Sequence, residues 1–143
     1  MKWIDLPPVW LLACLVASWL FPVTLMMLRV PWLAAGLLIV AVGLTLAAVM
    51  EFARARTTVI PRQTPTALIS SGVFRFSRNP IYLADLLFLA GLSFWFGNVT
   101  GLVLVPALAF ILQHRFILKE EERLQGEFGE EFESYRARTR RWM

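Results

Sequence analysis

The chain has 143 residues, 58% of them hydrophobic, with a mean hydropathy of +0.64. Soluble domains carry roughly 45–50% apolar residues, so this composition excludes an ordinary water-soluble domain and calls for an apolar solvent. The basic residues behind the net charge of +4 are distributed as membrane-flanking groups rather than as a nucleic-acid-binding stripe, and the single cysteine, Cys14, excludes an intrachain disulfide or a paired-thiol centre.

No charge occurs from Leu6 to Leu28 or from Val30 to Met50. At ~1.5 Å per residue, each run is long enough to cross ~30 Å of hydrocarbon. Helix one is expected over Pro8–Met27, with Pro22 as a kink. Leu11-Leu12-Ala13-Cys14 has the look of a lipoprotein cleavage site. Asp5 and Pro7-Pro8 interrupt the apolar core such a signal needs, however, and more membrane sequence follows, so the segment reads as a retained span with a packed cysteine. Trp3, Trp10 and Trp19 supply interfacial anchors. Arg29-Val30-Pro31 reads as a tight turn, and Pro31 suits the first turn of helix two. In that helix Ala34, Ala35, Gly36, Gly43, Ala47 and Ala48 are small enough to form a close-packing face.

Glu51 to Arg78 is a polar connection of 28 residues, and connections beyond about 12–15 residues are usually functional or disordered. Helix three is punctuated by Asn79, a favoured N-cap, and Pro80, favoured at the first helical position. It should end at Phe96-Gly97-Asn98, a length of only ~25 Å that barely reaches across. Helix four follows from Val99, with a kink at Pro106, as the second arm of a hairpin. Beyond Gln113 the pattern becomes amphipathic: Leu124, Phe128, Phe132 and Tyr135 form an apolar stripe. Gly126 and Gly129 weaken it, predicting two short helices or one with a bend.

Thirteen of the fourteen Lys and Arg residues are Lys2 or lie in Arg54–Arg78 or Arg115–Arg141. With an even number of spans those places share one membrane face, which the positive-inside rule makes cytoplasmic. The expected fold is an all-α integral membrane protein of four transmembrane helices with a cytoplasmic amphipathic C-terminal helical tail, in a bacterial inner membrane with both termini cytoplasmic. It would form one membrane domain: a scaffold at 1–52, a cytoplasmic connection at 53–79, a hairpin at 80–118 and a tail at 119–143.

Three features carry chemistry. Arg75 and Arg78 stand just outside the start of helix three, where free N–H groups and the positive end of the helix dipole favour an anion. Arg78 would add a charge-assisted hydrogen bond to a carboxylate or phosphate; enforcing topology is the alternative role for both arginines. Glu120 and Glu121 precede Leu124 by four and three residues and lean towards the apolar stripe. They need a partner or a cationic ligand, or else pair with Lys119 and Arg123, while Glu122 is solvated. His114, seven residues before Glu121, lies near the same face, but no second His or Cys stands at ligand spacing, so no metal site is expected. Asp85, one turn after Tyr82, is an intramembrane ionisable group and so a functional candidate, with pairing to Arg75 or Arg78 as the structural alternative.

Arg78-Asn79-Pro80-Ile81-Tyr82-Leu83, then Glu120-Glu121-Glu122-Arg123-Leu124, Phe128-Gly129, and Phe132 with Tyr135 together resemble the motifs of the isoprenylcysteine carboxyl methyltransferase family. The likeness is to its bacterial branch, whose relatives include the phospholipid methyltransferases. It covers Thr57 to the C-terminus and, more loosely, the two leading spans. Asn79 stands where the eukaryotic enzymes have histidine, and Ala84 where many members have glycine. The resemblance implies methyl transfer from S-adenosylmethionine, giving S-adenosylhomocysteine, at the cytoplasmic membrane face. Arg78, Asn79, Pro80, Tyr82 and Leu83 would build the cofactor site with His114, Glu120, Glu121 and Tyr135. Arg78 and Glu121 are the candidate catalytic residues, with Glu121 as base if the acceptor is an amine.

The expected function is methylation of a lipophilic or amphiphilic acceptor, at a carboxylate oxygen or an amine nitrogen. The substrate would enter from the bilayer, with membrane lipids as partners and no nucleic acid. A small four-helix transporter would need a lone acid deep in helix one, which is absent. A non-catalytic scaffold would leave the ordered polar elements unexplained.

Overall fold

The structure, a computed structural model, describes residues 6–56 and 67–143. Lys2, Trp3 and Asp5, and the middle of the long connection with Pro61 and Pro65, lie outside those residues. The described chain is helical throughout, apart from one isolated antiparallel bridge between Thr24 and Asn98. Its helices are α1 (Pro7–Leu20), α2 (Pro31–Arg54), α3 (Pro80–Phe96), α4 (Val99–Leu112), α5 (Leu118–Phe128) and α6 (Glu130–Arg138). A π-helical turn over Gln113–Ile117 joins α4 to α5 without a break.

Two helical stretches, Pro31–Arg54 and Val99–Phe128, are long and apolar enough to cross a membrane, while α1 and α3 are shorter apolar helices. Large apolar side chains such as Trp19, Met27, Trp32, Ile39 and Phe110 lie exposed on the outside of the bundle. In water that would be a continuous liability; against lipid it is the expected surface.

Helix α1 ends at Leu20, earlier than the expected Met27. Pro22 restricts Phe21 to a non-helical conformation and brings no N–H, so the chain leaves the helix instead of kinking within it. The segment then runs through a 3₁₀ turn at Met26–Leu28 and enters α2 with Pro31 at its first position. Pro106, by contrast, is carried inside α4.

Both hairpin turns sit at one end of the bundle and are stitched together there. Leu25 N–H donates to Gly97 O (2.9 Å), Val99 N–H to Val23 O (2.7 Å) and Val30 N–H to Phe94 O (3.1 Å). The buried Asn98 caps α4 by accepting from Gly101 N–H and donates through Nδ2 to Ser18 O at 2.8 Å. Gly97 closes α3 in the left-handed conformation (φ 64°), where a Cβ would come within 2.6 Å of Leu25 O. Segment 67–79, α5, α6 and the C-terminus therefore gather at the opposite end.

Helix α3 is the hub, packing on α1, α2 and α4. Its contact with α2 uses Ala34, Ala41 and Ala48, spaced seven apart and all buried. At Gly91 the approach is close enough that a Cβ would lie 2.9 Å from Leu38 Cγ. The expected small-residue face is thus rotated: Ala34 and Ala48 belong to it, but Gly36 and Gly43 face open space. Cys14 packs with Leu89, Leu108, Leu112 and Phe116 in one core. A second core, at the other end of α2, joins Ala48 to Ile69, Phe74, Phe132 and Tyr135. Through it the predicted stripe of α5 and α6 docks the tail onto the bundle. The tail bends at Gly129 (φ 49°), while Gly126 stays inside α5.

Candidate active site

At the end away from the hairpin turns, four pieces of chain meet: the start of α3, the α5 carboxylates, the segment 74–79 and the last residues after α6. Helix α3 begins at Pro80, as its punctuation predicts. Asn79 occupies the N-cap position but makes no side-chain cap; its Nδ2 donates instead to Arg141 O at 3.0 Å, and its own N–H donates to Ser77 Oγ at 3.1 Å. Arg78 N–H donates to Arg140 O at 3.0 Å. The C-terminal residues are thereby strapped across the entrance to α3, and the strap is closed by Trp142 Nε1 donating to Gln113 Oε1 at 3.1 Å.

Glu121 is the centre of the charge cluster. Arg141 grips it in a two-point fork, Nε to Oε1 at 3.0 Å and Nη2 to Oε2 at 2.8 Å. On the other side Arg78 Nη1 stands 3.2 Å from Glu121 Oε1. The Arg78 side chain is only 10% exposed, and its Nε and Nη1 are buried without a hydrogen-bond acceptor among the described residues. Burial pushes the Arg78 pKa below its ordinary value; Glu121 opposes this, and the cations Arg141 and Arg136 reinforce it. A guanidinium nevertheless stays charged. The two forked hydrogen bonds from Arg141 engage both Glu121 oxygens and hold the Arg141 pKa above its usual value.

Glu120 is tied separately: Tyr82 Oη donates to Glu120 Oε1 at 2.8 Å. The Tyr82 ring lies 6.4 Å from that of Phe116, centroid to centroid. Arg123, on the same helix, has a buried Nη1 with no hydrogen-bond acceptor among the described residues. Glu122 is exposed, as expected, and so is Lys119. Tyr135 is buried, and its hydroxyl donates to Phe74 O at 2.7 Å, which anchors the segment leading to Arg78. Burial raises its pKa, with Arg78 opposing, so it remains a neutral donor.

The structure therefore brings Arg78, Asn79, Pro80, Tyr82, Glu120 and Glu121 to one end, with Leu83 one residue further along α3 and Tyr135 just beneath. It does not bring His114. That ring is exposed, 4.1 Å from the Phe110 ring, with Nδ1 3.0 Å from Phe110 O. The reason is the π-helical turn: Gln113–Ile117 spends an extra residue on its turn, so each residue advances through less rotation and a seven-residue spacing no longer means the same face. Arg75 is exposed, and its carbonyl accepts from Thr139 Oγ1 at 3.5 Å. Asp85 makes no pair with Arg75 or Arg78 among the described residues, because Arg78 is turned to Glu121. Sequence reading missed Arg141. Its one sequence signal was membership of the basic run Arg140-Arg141 beyond the last apolar position, which topology alone would explain.

A helical chain with membrane-length helices and a buried charge cluster at one end is the frame in which comparison with known proteins falls. The chain belongs to the phospholipid methyltransferase family, whose family model matches residues 30–131. This is a family of methyltransferases, consistent with the likeness to the isoprenylcysteine carboxyl methyltransferases. The chain is 30% identical over 109 residues to the nickel-cobalt-cadmium resistance protein NccN of Alcaligenes xylosoxydans xylosoxydans. That match takes in 76% of this chain and spans only half of the length of NccN. It is 32% identical over 63 residues, 44% of this chain, to the whole of an uncharacterized protein of Haemophilus influenzae. No solved structure matches.

Proposed function

We propose that this chain is a four-span integral membrane methyltransferase that uses S-adenosylmethionine to methylate a lipophilic or amphiphilic acceptor at the cytoplasmic face. Two observations support the arrangement. Both hairpin turns lie at one end, and most basic residues lie at the other, the distribution the positive-inside rule expects of a cytoplasmic end. The bacterial inner membrane is the proposed location.

The observation that carries the cofactor reading is Arg78: a nearly buried cation at the start of a helix, whose Nη1 ion-pairs with Glu121 and whose Nε has no acceptor among the described residues. Arg78 and Arg141 against Glu121 leave the cluster with an excess positive charge, so it fits an anion. The carboxylate of the cofactor is the proposed guest of Arg78, with Glu120 and Glu121 facing its ammonium. The rings of Tyr82 and Phe116 suit a sulfonium. Asn79, Pro80 and Leu83 shape the entrance to α3, Arg141 sets the orientation of Glu121, and Tyr135 holds the Arg78 segment in place. When bound, the cofactor supplies an electrophilic methyl group. The protein's part is to align the acceptor with it and exclude water. His114 is no part of this site. The resistance named for NccN adds no support here: among the described residues, no three His, Cys, Asp or Glu side chains gather as a cation site.

Calorimetry of S-adenosylmethionine and S-adenosylhomocysteine with protein in lipid nanodiscs tests the reading. Both should bind, and Arg78→Ala should weaken binding by roughly 10–100-fold, the loss of a charge-assisted contact. Absence of binding by folded protein, or binding indifferent to Arg78→Ala, would leave the transporter or scaffold alternatives.

A further inference from the structure

Glu51 is the sole acid of α2, and the charge cluster at the start of α3 does not include it. It lies in the last turn of its helix, where the negative end of the dipole disfavours a carboxylate, and its side chain is only 9% exposed. Two partners offset those costs. Oε1 accepts from Arg54 Nη1 at 2.7 Å, and Oε2 accepts from Ser71 Oγ, 20 residues further along the chain. Arg54 is 73% exposed, so that ion pair is screened by solvent and contributes little. The Ser71 contact is different in kind, because it ties the far end of the long connection to α2. Gly72 follows with φ 55° and passes so close that a Cβ there would stand 2.6 Å from Glu51 Cδ. It opens the 3₁₀ turn Gly72–Arg75, in which the Phe74 ring meets Phe52, the neighbour of Glu51, edge to face at 5.5 Å. Tyr135 holds Phe74 O from the other side, and Arg78 comes shortly after.

We propose that Glu51 is a positioning residue for the cofactor. Through Ser71 and the close passage of Gly72 it sets the path of the segment that delivers Arg78, and with it the grip of Arg78 on the cofactor's carboxylate. The inference rests on the methyltransferase reading and deepens it. A charge-assisted hydrogen bond needs its donor within about 2.7–2.9 Å of the acceptor, so a shift of about 1 Å in the segment forfeits it. The cofactor's carboxylate is remote from the methyl group that is transferred. A misplaced Arg78 therefore weakens binding of substrate cofactor and product cofactor alike. A residue that only tied the connection to α2 would lower stability and leave the affinity of the folded protein unchanged.

The test is calorimetry of S-adenosylhomocysteine with the full chain in lipid nanodiscs, with denaturation followed on the same samples. Glu51→Ala should raise Kd about tenfold, whereas Glu51→Gln, which keeps an acceptor for Ser71, should stay within about twofold of wild type. Ser71→Ala, a smaller change, should raise Kd about threefold. Neither Glu51→Ala nor Ser71→Ala should weaken binding further once Arg78→Ala is present, because both act through that side chain. If Glu51→Ala does not fold, Ser71→Ala alone and with Arg78→Ala decides the same question. An unchanged Kd in the folded single variants, or a loss that adds in full to that of Arg78→Ala, overturns this inference alone. No binding by folded wild type overturns it together with the methyltransferase reading.

Discussion

Glu121 stands between two guanidinium groups of unequal exposure, and that inequality decides what each contributes. Arg141 is about a third exposed, so its fork is partly screened by solvent, whereas Arg78 is nearly buried and, among the described residues, has Glu121 as its one counter-charge. Glu121→Gln should therefore destabilise the protein by about 2 kcal/mol, and Arg141→Ala by under about 1 kcal/mol. Since both act on one cluster, the double variant should be little worse than Glu121→Gln alone, a coupling that denaturation of the four proteins in detergent would show. Additive losses would mean that Arg141 contributes elsewhere. Tyr135→Phe removes only the hydroxyl that donates to Phe74 O. The buried carbonyl left without that donor should cost about 1–2 kcal/mol, measured the same way, with little change in fold.

At the scale of elements, local signals were legible where punctuation was local. Asn79-Pro80 and Phe96-Gly97 set the ends of α3, and the stripe from Leu124 to Tyr135 marked the docked face of the tail. Pro22 and Pro106 show the limit: one ends its helix and the other is carried inside, and the difference lies in what the neighbouring backbone can do, not in the residue. The π-helical turn at Gln113–Ile117 has no such punctuation, and it shifts His114 relative to Glu121 despite their seven-residue spacing. Most of the candidate site was legible, because Arg78, Tyr82, Glu120 and Glu121 belong to short motifs. Arg141 was not, because its contact with Glu121 depends on how the strap after α6 returns across α3. That return starts at Gly129, whose φ of 49° with ψ −118° is a glycine conformation. Gly129→Ala should cost about 1–3 kcal/mol and loosen the tail. Faster hydrogen exchange over Glu130–Arg138, with α2 and α3 unchanged, is the expected readout; uniform loosening would mean that the tail and bundle are one cooperative unit.

For the molecule as a whole, stitching of both turns at one end leaves the segment before α3, helix α5 and the residues after α6 to build the charged site at the other. The proposed orientation then has a direct consequence. In sealed vesicles, Met143→Cys should react with an impermeant maleimide from the cytoplasmic side and Met27→Cys from the opposite side, with Cys14 buried in its core. Labelling of both from the same side would contradict four spans.

The central claim is that the cluster around Arg78 serves methyl transfer. The most direct measurement is transfer of labelled methyl from S-adenosylmethionine into lipid-extractable product by nanodisc-embedded protein, comparing wild type with Arg78→Ala. The account predicts incorporation by wild type and a loss of about tenfold or more in the variant. Equal incorporation by the two proteins, or none by a folded wild type offered amphiphilic amines and carboxylates, would contradict it.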